Sequence, residues 1–227
     1  MSVLNQDTNT QKSTPPVFPE LRDKLVASHR PPRSEDFLGG LGVILHDSLT
    51  PDECRAVVDA TEKVGYEGAK NYCFMYNNRW NDRFMADDAQ LAEFLWERVK
   101  EFTPKRVEAF ERTWEVDGLN SRFRFCKYLG GEGHYFGPHT DGMYTADLDH
   151  RSLFTCMFYL NGGPDFKGGL TNFIDHKTRK VNHSIVPAPG LCVIFRQVDL
   201  RTYHEGTQVT SGLKYIMRTD VMYHAVS

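Results

Sequence analysis

The chain has 227 residues, 40% hydrophobic and 25% charged, enough for one compact domain with a sizeable core. A formal net charge of -3, with no long run of Lys or Arg, argues against nucleic acid as an obligatory partner. No apolar stretch approaches the roughly 20 residues that span a bilayer, and the polar opening MSVLNQDTNTQKSTPPVFPE lacks a secretory core, so the expected location is cytoplasmic, without a membrane partner.

Residues 1 to 35 are rich in Ser, Thr, Asn, Gln and Pro and read as a flexible N-terminal arm, which leaves residues 36 to 227 as a single domain. Gly42 to His46 reads as a strand. Thr50-Pro51-Asp52-Glu53 supplies an N-cap, a proline at the first helical position and a capping-box carboxylate, and predicts a helix running to Gly65. Arg79 and Arg83 flank Trp80-Asn81-Asp82 in a stretch that reads as loop. A second helix follows Asp87-Asp88, with Leu91, Phe94, Leu95, Val99 and Phe102 at helical spacing until Pro104.

Beyond residue 120 the texture changes to short β-favouring runs at 122 to 128, 153 to 160, 191 to 196 and 214 to 223. Helical support over about 50 to 104 and a β core over about 120 to 223 predict an α+β, mainly β fold, closed or sandwich-like. The five cysteines are scattered, with no CxxC pair, and read as buried thiols.

His139-Thr140-Asp141 places two ligand-type side chains at i and i+2, on one face of an extended segment. His204 supplies a third. Two imidazoles and one carboxylate leave three coordination positions open, the arrangement suited to non-haem Fe(II) oxygenases. With nine histidines in the chain, an HxD triplet alone is weak evidence, since hydrogen-bonded or surface histidines are commoner. Lys214, ten residues after His204, opens a strand that carries Ile216 and Arg218 on the same face, where a cation could hold the far end of a dicarboxylate.

Together, His139-x-Asp141, His204, Gly212 and Lys214 resemble the catalytic domain of prolyl 4-hydroxylases and related 2-oxoglutarate oxygenases over residues 120 to 223. Tyr128-Leu-Gly-Gly, Thr155 to Asn161, Gly168-Gly169-Leu170-Thr171-Asn172-Phe173 and Pro189-Gly190 match the same family in order. The resemblance implies a double-stranded β-helix of jelly-roll or cupin type, buttressed by N-terminal helices. It implies Fe(II) on His139, Asp141 and His204, with 2-oxoglutarate and O2 as cosubstrates and L-ascorbate as a candidate accessory. It also implies that Lys214 pairs with the C5 carboxylate of 2-oxoglutarate, that Tyr128 and Tyr159 hydrogen-bond there, and that Thr155 lines the pocket. Related sequences often carry Glu where Leu170 stands, a departure that bears on substrate contacts. The carboxylate at Asp141 favours hydroxylation over halogenation, because related halogenases have a small residue there.

Arg218 is expected either as a second cosubstrate contact or as a structural partner of Asp220. Arg79, Arg83, Arg122 and Arg124 are candidate substrate contacts, weighed against ordinary ion pairs. The expected activity is oxidative decarboxylation of 2-oxoglutarate to succinate and CO2 with hydroxylation of a C–H bond in a peptide or protein side chain, such as a prolyl residue, or in a free amino acid or small metabolite. A non-catalytic sensor of the same fold, and a zinc hydrolase with Glu205 as base, are the competing readings. The sequence does not specify an oligomeric state.

Overall fold

A computed structural model describes Leu21, residues 24–25, 30–69 and 78–226. The elements run β1 (Arg33–Phe37), β2 (Gly42–His46), α1 (Pro51–Val64), β3 (Arg79–Trp80), β4 (Asp82–Asp87) and α2 (Ala89–Val99). Then come β5 (Arg106–Ala109), β6 (Arg112–Leu119), β7 (Arg122–Leu129), β8 (Tyr135–His139), β9 (His150–Tyr159) and β10 (Phe166–Gly168). The last five are β11 (Thr171–Ile174), β12 (Val181–Ile185), β13 (Cys192–Arg196), β14 (His204–Gly206) and β15 (Val209–Ala225). None of these helices is long and apolar enough to cross a membrane.

Among the described residues the strands form two antiparallel sheets. The larger follows the path β1-β2-β13-β9-β15-β6-β5, with β7 and β10 also paired to β15 and β4 paired to β7. The smaller follows β12-β11-β14-β8-β3. The long strand β15 joins much of the larger sheet, since it meets β7 and β9 at once, on either edge.

Period-two alternation divides the core. On β9, Phe154, Cys156 and Phe158 face the helices, while Met157 and Tyr159 face the smaller sheet. On β13, Cys192 and Ile194 take the first side, Val193 and Phe195 the second. One apolar cluster thus lies between the larger sheet and the two helices, and the other between the two sheets. Both faces of the larger sheet are buried, which is why its strands read as nearly continuous apolar runs.

Both helices form as expected. Thr50 Oγ1 accepts from Glu53 N at 3.2 Å and Glu53 Oε2 accepts from Thr50 N at 2.7 Å, closing the capping box. Glu53 also pairs with Arg98 of α2 at 2.6 Å, both side chains buried, so one residue caps α1 and ties it to α2.

Three expectations change. The stretch around Arg79 and Arg83 is β3 and β4 rather than loop, because β4 pairs along β7 from Asp82 to Asp87. Strand β1, not expected, pairs with the expected strand β2 ahead of the helices. Most of the arm expected at residues 1 to 35 lies outside the described residues, but its last residues begin β1 and Leu21 is buried in the helix-side cluster. Of the expected buried thiols, Cys54, Cys126, Cys156 and Cys192 are free and buried, and Cys73 lies outside the described residues.

Replacing one partner of the Glu53–Arg98 pair leaves the other charge buried. Arg98→Ala is expected to lower unfolding free energy by about 3 kcal/mol or more, measured by urea denaturation. A loss under about 1 kcal/mol would mean that the pair is not load-carrying for the α1–α2 junction.

Candidate metal and cosubstrate site

His139 ends β8, His204 begins β14, and the two are cross-strand partners. Asp141 lies just past the end of β8, so the two ligand types of the HxD triplet do not share one strand. They converge nonetheless. One donor atom from each of His139, Asp141 and His204 falls within 4.8 Å of the others. His139 Nε2 is 3.5 Å from Asp141 Oδ1, and His204 Nε2 is 4.0 Å from Asp141 Oδ2.

Backbone carbonyls set the tautomers. His139 Nδ1 lies 2.9 Å from Gly137 O, and His204 Nδ1 lies 2.9 Å from Thr202 O. A carbonyl only accepts, so each Nδ1 carries a hydrogen and each Nε2 is left facing the shared point. Burial, then the neighbouring His139, push the His204 pKa down to about 4, against the pull of Asp141, so this imidazole is neutral. Burial opposes the charge on Asp141, but Arg218 and the two histidines outweigh it and hold the carboxyl well below its usual range. Two imidazoles, that of His204 neutral, and an ionised carboxylate are the donor types that a divalent ion of the iron type takes, so the residues fit.

The three groups open onto a cavity of about 510 Å³, mouth included, whose lining also holds Arg79, Arg124, Tyr128, Thr171, Lys214 and Arg218. Strand register explains the grouping. Lys214, Ile216 and Arg218 of β15 stand opposite Tyr128, Cys126 and Arg124 of β7. Along this shared face, charge alternates with apolar cover.

Lys214 is buried and donates to Gly169 O at 2.6 Å, with its ammonium 5.3 Å and 5.4 Å from the rings of Tyr128 and Tyr159. Gly169 has φ of +66°, and a Cβ there would come within 3.1 Å of Lys214 Cδ, so the glycine is needed for this seat. Lys214 is thus a buried cation whose surroundings are aromatic faces and a neutral carbonyl, a setting that favours an anionic ligand.

Several expected roles shift. Thr155 does not line the cavity; it donates to Asp141 Oδ2 at 2.6 Å. Tyr159 is fully buried and donates to Thr171 Oγ1 at 2.7 Å, so Thr171, not Tyr159, presents its surface to the cavity. Arg122 pairs with Asp87 at 2.9 Å, and Arg83 is buried in β4, neither of them lining the cavity. Arg79 and Arg124 do line it. Arg218 contacts both Asp141, at 3.2 Å, and Asp220, at 3.3 Å, so the expected Asp220 partnership is present. Glu205 does not line the cavity and accepts from Asn172 at 3.1 Å, which leaves the zinc-hydrolase reading without its candidate base at the site. Sequence reasoning missed Thr171 and Gln197; the motif GGLTNF marked the first without its role, and nothing local marks the second.

Residues 123–219 match the model of the 2OG-Fe(II) oxygenase superfamily, a span that contains His139, Asp141, His204, Lys214 and Arg218. The fold and site define the class: a 2-oxoglutarate- and Fe(II)-dependent dioxygenase. More particularly, the fold is the double-stranded β-helix of the prolyl 4-hydroxylases. The viral collagen prolyl hydroxylase from Paramecium bursaria Chlorella virus-1, in its 2-oxoglutarate complex, is 18% identical, with a TM-score of 0.58 over 83% of this chain and 99% of that one. A Pseudomonas putida prolyl-4-hydroxylase is 16% identical, with a TM-score of 0.54 over 80% and 91%. A Trichoplax adhaerens prolyl hydroxylase, solved with a hypoxia-inducible-factor peptide, is 17% identical, with a TM-score of 0.56 over 80% and 83%. No curated protein matches the sequence.

Burial lowers the Lys214 pKa from 10.5 to about 7. The folded chain releases this proton near pH 7, whereas the unfolded chain keeps it to about 10.5. The penalty is therefore complete below pH 7, and stability rises with pH across that window. The urea midpoint of the wild type is expected to climb from pH 7 to pH 10 relative to that of Lys214→Met. Parallel pH profiles would show that Lys214 is not desolvated.

Proposed function

We propose that this dioxygenase hydroxylates a C–H bond, with Fe(II) held by His139, Asp141 and His204 and the distal carboxylate of 2-oxoglutarate paired with Lys214. The observation that carries the reading is a buried, aromatic-walled ammonium at one end of a cavity whose other end gathers two imidazoles and a carboxylate. When bound, iron and 2-oxoglutarate supply the oxidising power, with succinate and CO2 as coproducts. The protein's own residues bind and orient. Lys214 answers the far carboxylate, and Tyr128, its phenol kept neutral by burial, flanks it. Met157 and Ile216 line the cavity with apolar side chains that exclude water.

A prolyl residue of a peptide or protein is the first substrate reading, supported by the Trichoplax enzyme's peptide complex and the shared fold. A second reading is a small anionic substrate such as a free amino acid. It is favoured by Arg79 and Arg124 at the cavity wall, with the Arg79 guanidinium over Phe136 at 4.6 Å and Phe136 stacked on His139 at 3.6 Å. That column of flat groups leads from Arg79 to a metal ligand.

The test is succinate release from 2-oxoglutarate with Fe(II) and ascorbate, in the presence of prolyl peptides or of free amino acids. His139→Ala is expected to abolish release. Lys214→Ala is expected to raise half-saturating 2-oxoglutarate about 30-fold, the equivalent of losing roughly 2 kcal/mol from a buried charge pair. Arg79→Leu is expected to impair only the free amino-acid reaction. Activity surviving in His139→Ala would refute the iron assignment, and stimulation by neither substrate panel would refute both substrate readings.

A further inference from the structure

Asp141 is held by more than its neighbours at the metal point. Thr155 Oγ1 donates to Asp141 Oδ2 at 2.6 Å, and behind Thr155 stands Gln197, buried just beyond the end of β13. The hydrogen-bond directions in this cluster can be worked out atom by atom. Tyr144 N–H donates to Ser152 Oγ at 2.8 Å, so the Ser152 hydroxyl hydrogen is free to go to Gln197 Oε1 at 2.7 Å. That fixes the amide: Gln197 Nε2 faces Thr155 Oγ1 at 3.2 Å and Asp220 Oδ1 at 2.9 Å. Thr155 Oγ1 therefore accepts from Gln197, and from Arg218 Nη2 at 3.3 Å. Its single hydrogen is directed to Asp141.

The backbone adds a second hold. Val198, the residue after Gln197, donates its N–H to Asp141 O at 3.0 Å, and does so with φ of +54°. A β-branched residue in the left-handed region is strained and persists only where its surroundings fix it. Gln197 thus reaches the Asp141 carboxylate through Thr155, while Val198 holds the Asp141 main chain directly.

We propose that Gln197 and Thr155 are positioning residues that fix the Asp141 carboxylate in its metal-ligating rotamer, an inference that rests on Asp141 being a metal ligand. Neither residue touches the metal point. They act through Asp141, as outer partners of ligating groups do elsewhere at a cost of about 10- to 100-fold in metal affinity when removed.

The full chain is titrated with Mn(II), following free Mn(II) by electron paramagnetic resonance, with the thermal melt of each metal-free variant as the check on folding. Thr155→Val keeps the shape and loses the donor; Gln197→Met keeps the volume and loses the amide. Both are expected to weaken Mn(II) binding about 10-fold or more, while Thr155→Ser, which keeps the hydroxyl, stays within about 3-fold of the wild type. Unchanged affinity in Thr155→Val, or equal losses in Thr155→Val and Thr155→Ser, would overturn the proposal. If Thr155→Val fails to fold, Gln197→Met decides by the same criterion. Failure of the wild type to bind Mn(II), or binding retained in His139→Ala, would instead refute the metal-site reading itself.

Discussion

A carboxylate with only 5% of its surface exposed sits beside two imidazoles, and the surrounding structure is arranged to keep it charged. A buried ion of this kind is costly unless it is paired and hydrogen-bonded. Arg218 and Thr155 supply those partners, one to each oxygen. Arg218 in turn needs a counter-charge, which Asp220 provides, and Asp220 is shared with Arg124 at 3.0 Å and Gln197 at 2.9 Å. The requirement at one atom pair thus propagates across β7, β9, β13 and β15.

The sheet makes that propagation possible. Asp220 of β15 stands opposite Thr155 of β9, and Arg218 stands opposite Arg124 of β7, so polar side chains from three strands gather on one face. The other face of the same strands is apolar and packs against α1 and α2. The cavity is therefore a polar patch in the inner layer of a sheet whose outer layer is an ordinary core. Its two ends differ in chemistry. Lys214 sits among aromatic rings with a neutral acceptor, and the Asp141 end holds nearly all of the compensated charge.

The dioxygenase chemistry follows from this division. A divalent metal needs an ionised, oriented donor set, while a dicarboxylate cosubstrate needs an unmatched cation one carboxylate-to-keto length away, in a pocket that excludes water. The donor set comes from the ends of β8 and β14 and Lys214 from β15, and all four residues open onto the same cavity. Arg79 and Arg124 line the remaining wall of the same cavity.

By itself the sequence determined the local elements and the residue types of the site. The capping box at Thr50, the helical spacing after Asp88 and the alternation along 153 to 160 each follow from chemistry within a few residues, and each element formed there. His139, Asp141, His204 and Lys214 were legible because their spacing matched a known pattern, and Arg218 with Asp220 because alternation puts them on one face. Only the tertiary structure decided that Thr155 serves Asp141 rather than the cosubstrate, that Arg122 pairs with Asp87 while Arg124 lines the cavity, and that Gln197 belongs to the site. The short strands β3, β8, β11 and β14 were equally hidden, because two to five residues carry too little periodicity to read. The physical reason is the same in each case: strand register and cross-sheet partners are set by contacts between residues 14 to 96 positions apart, and a side chain's role depends on which partner that register brings within about 3 Å.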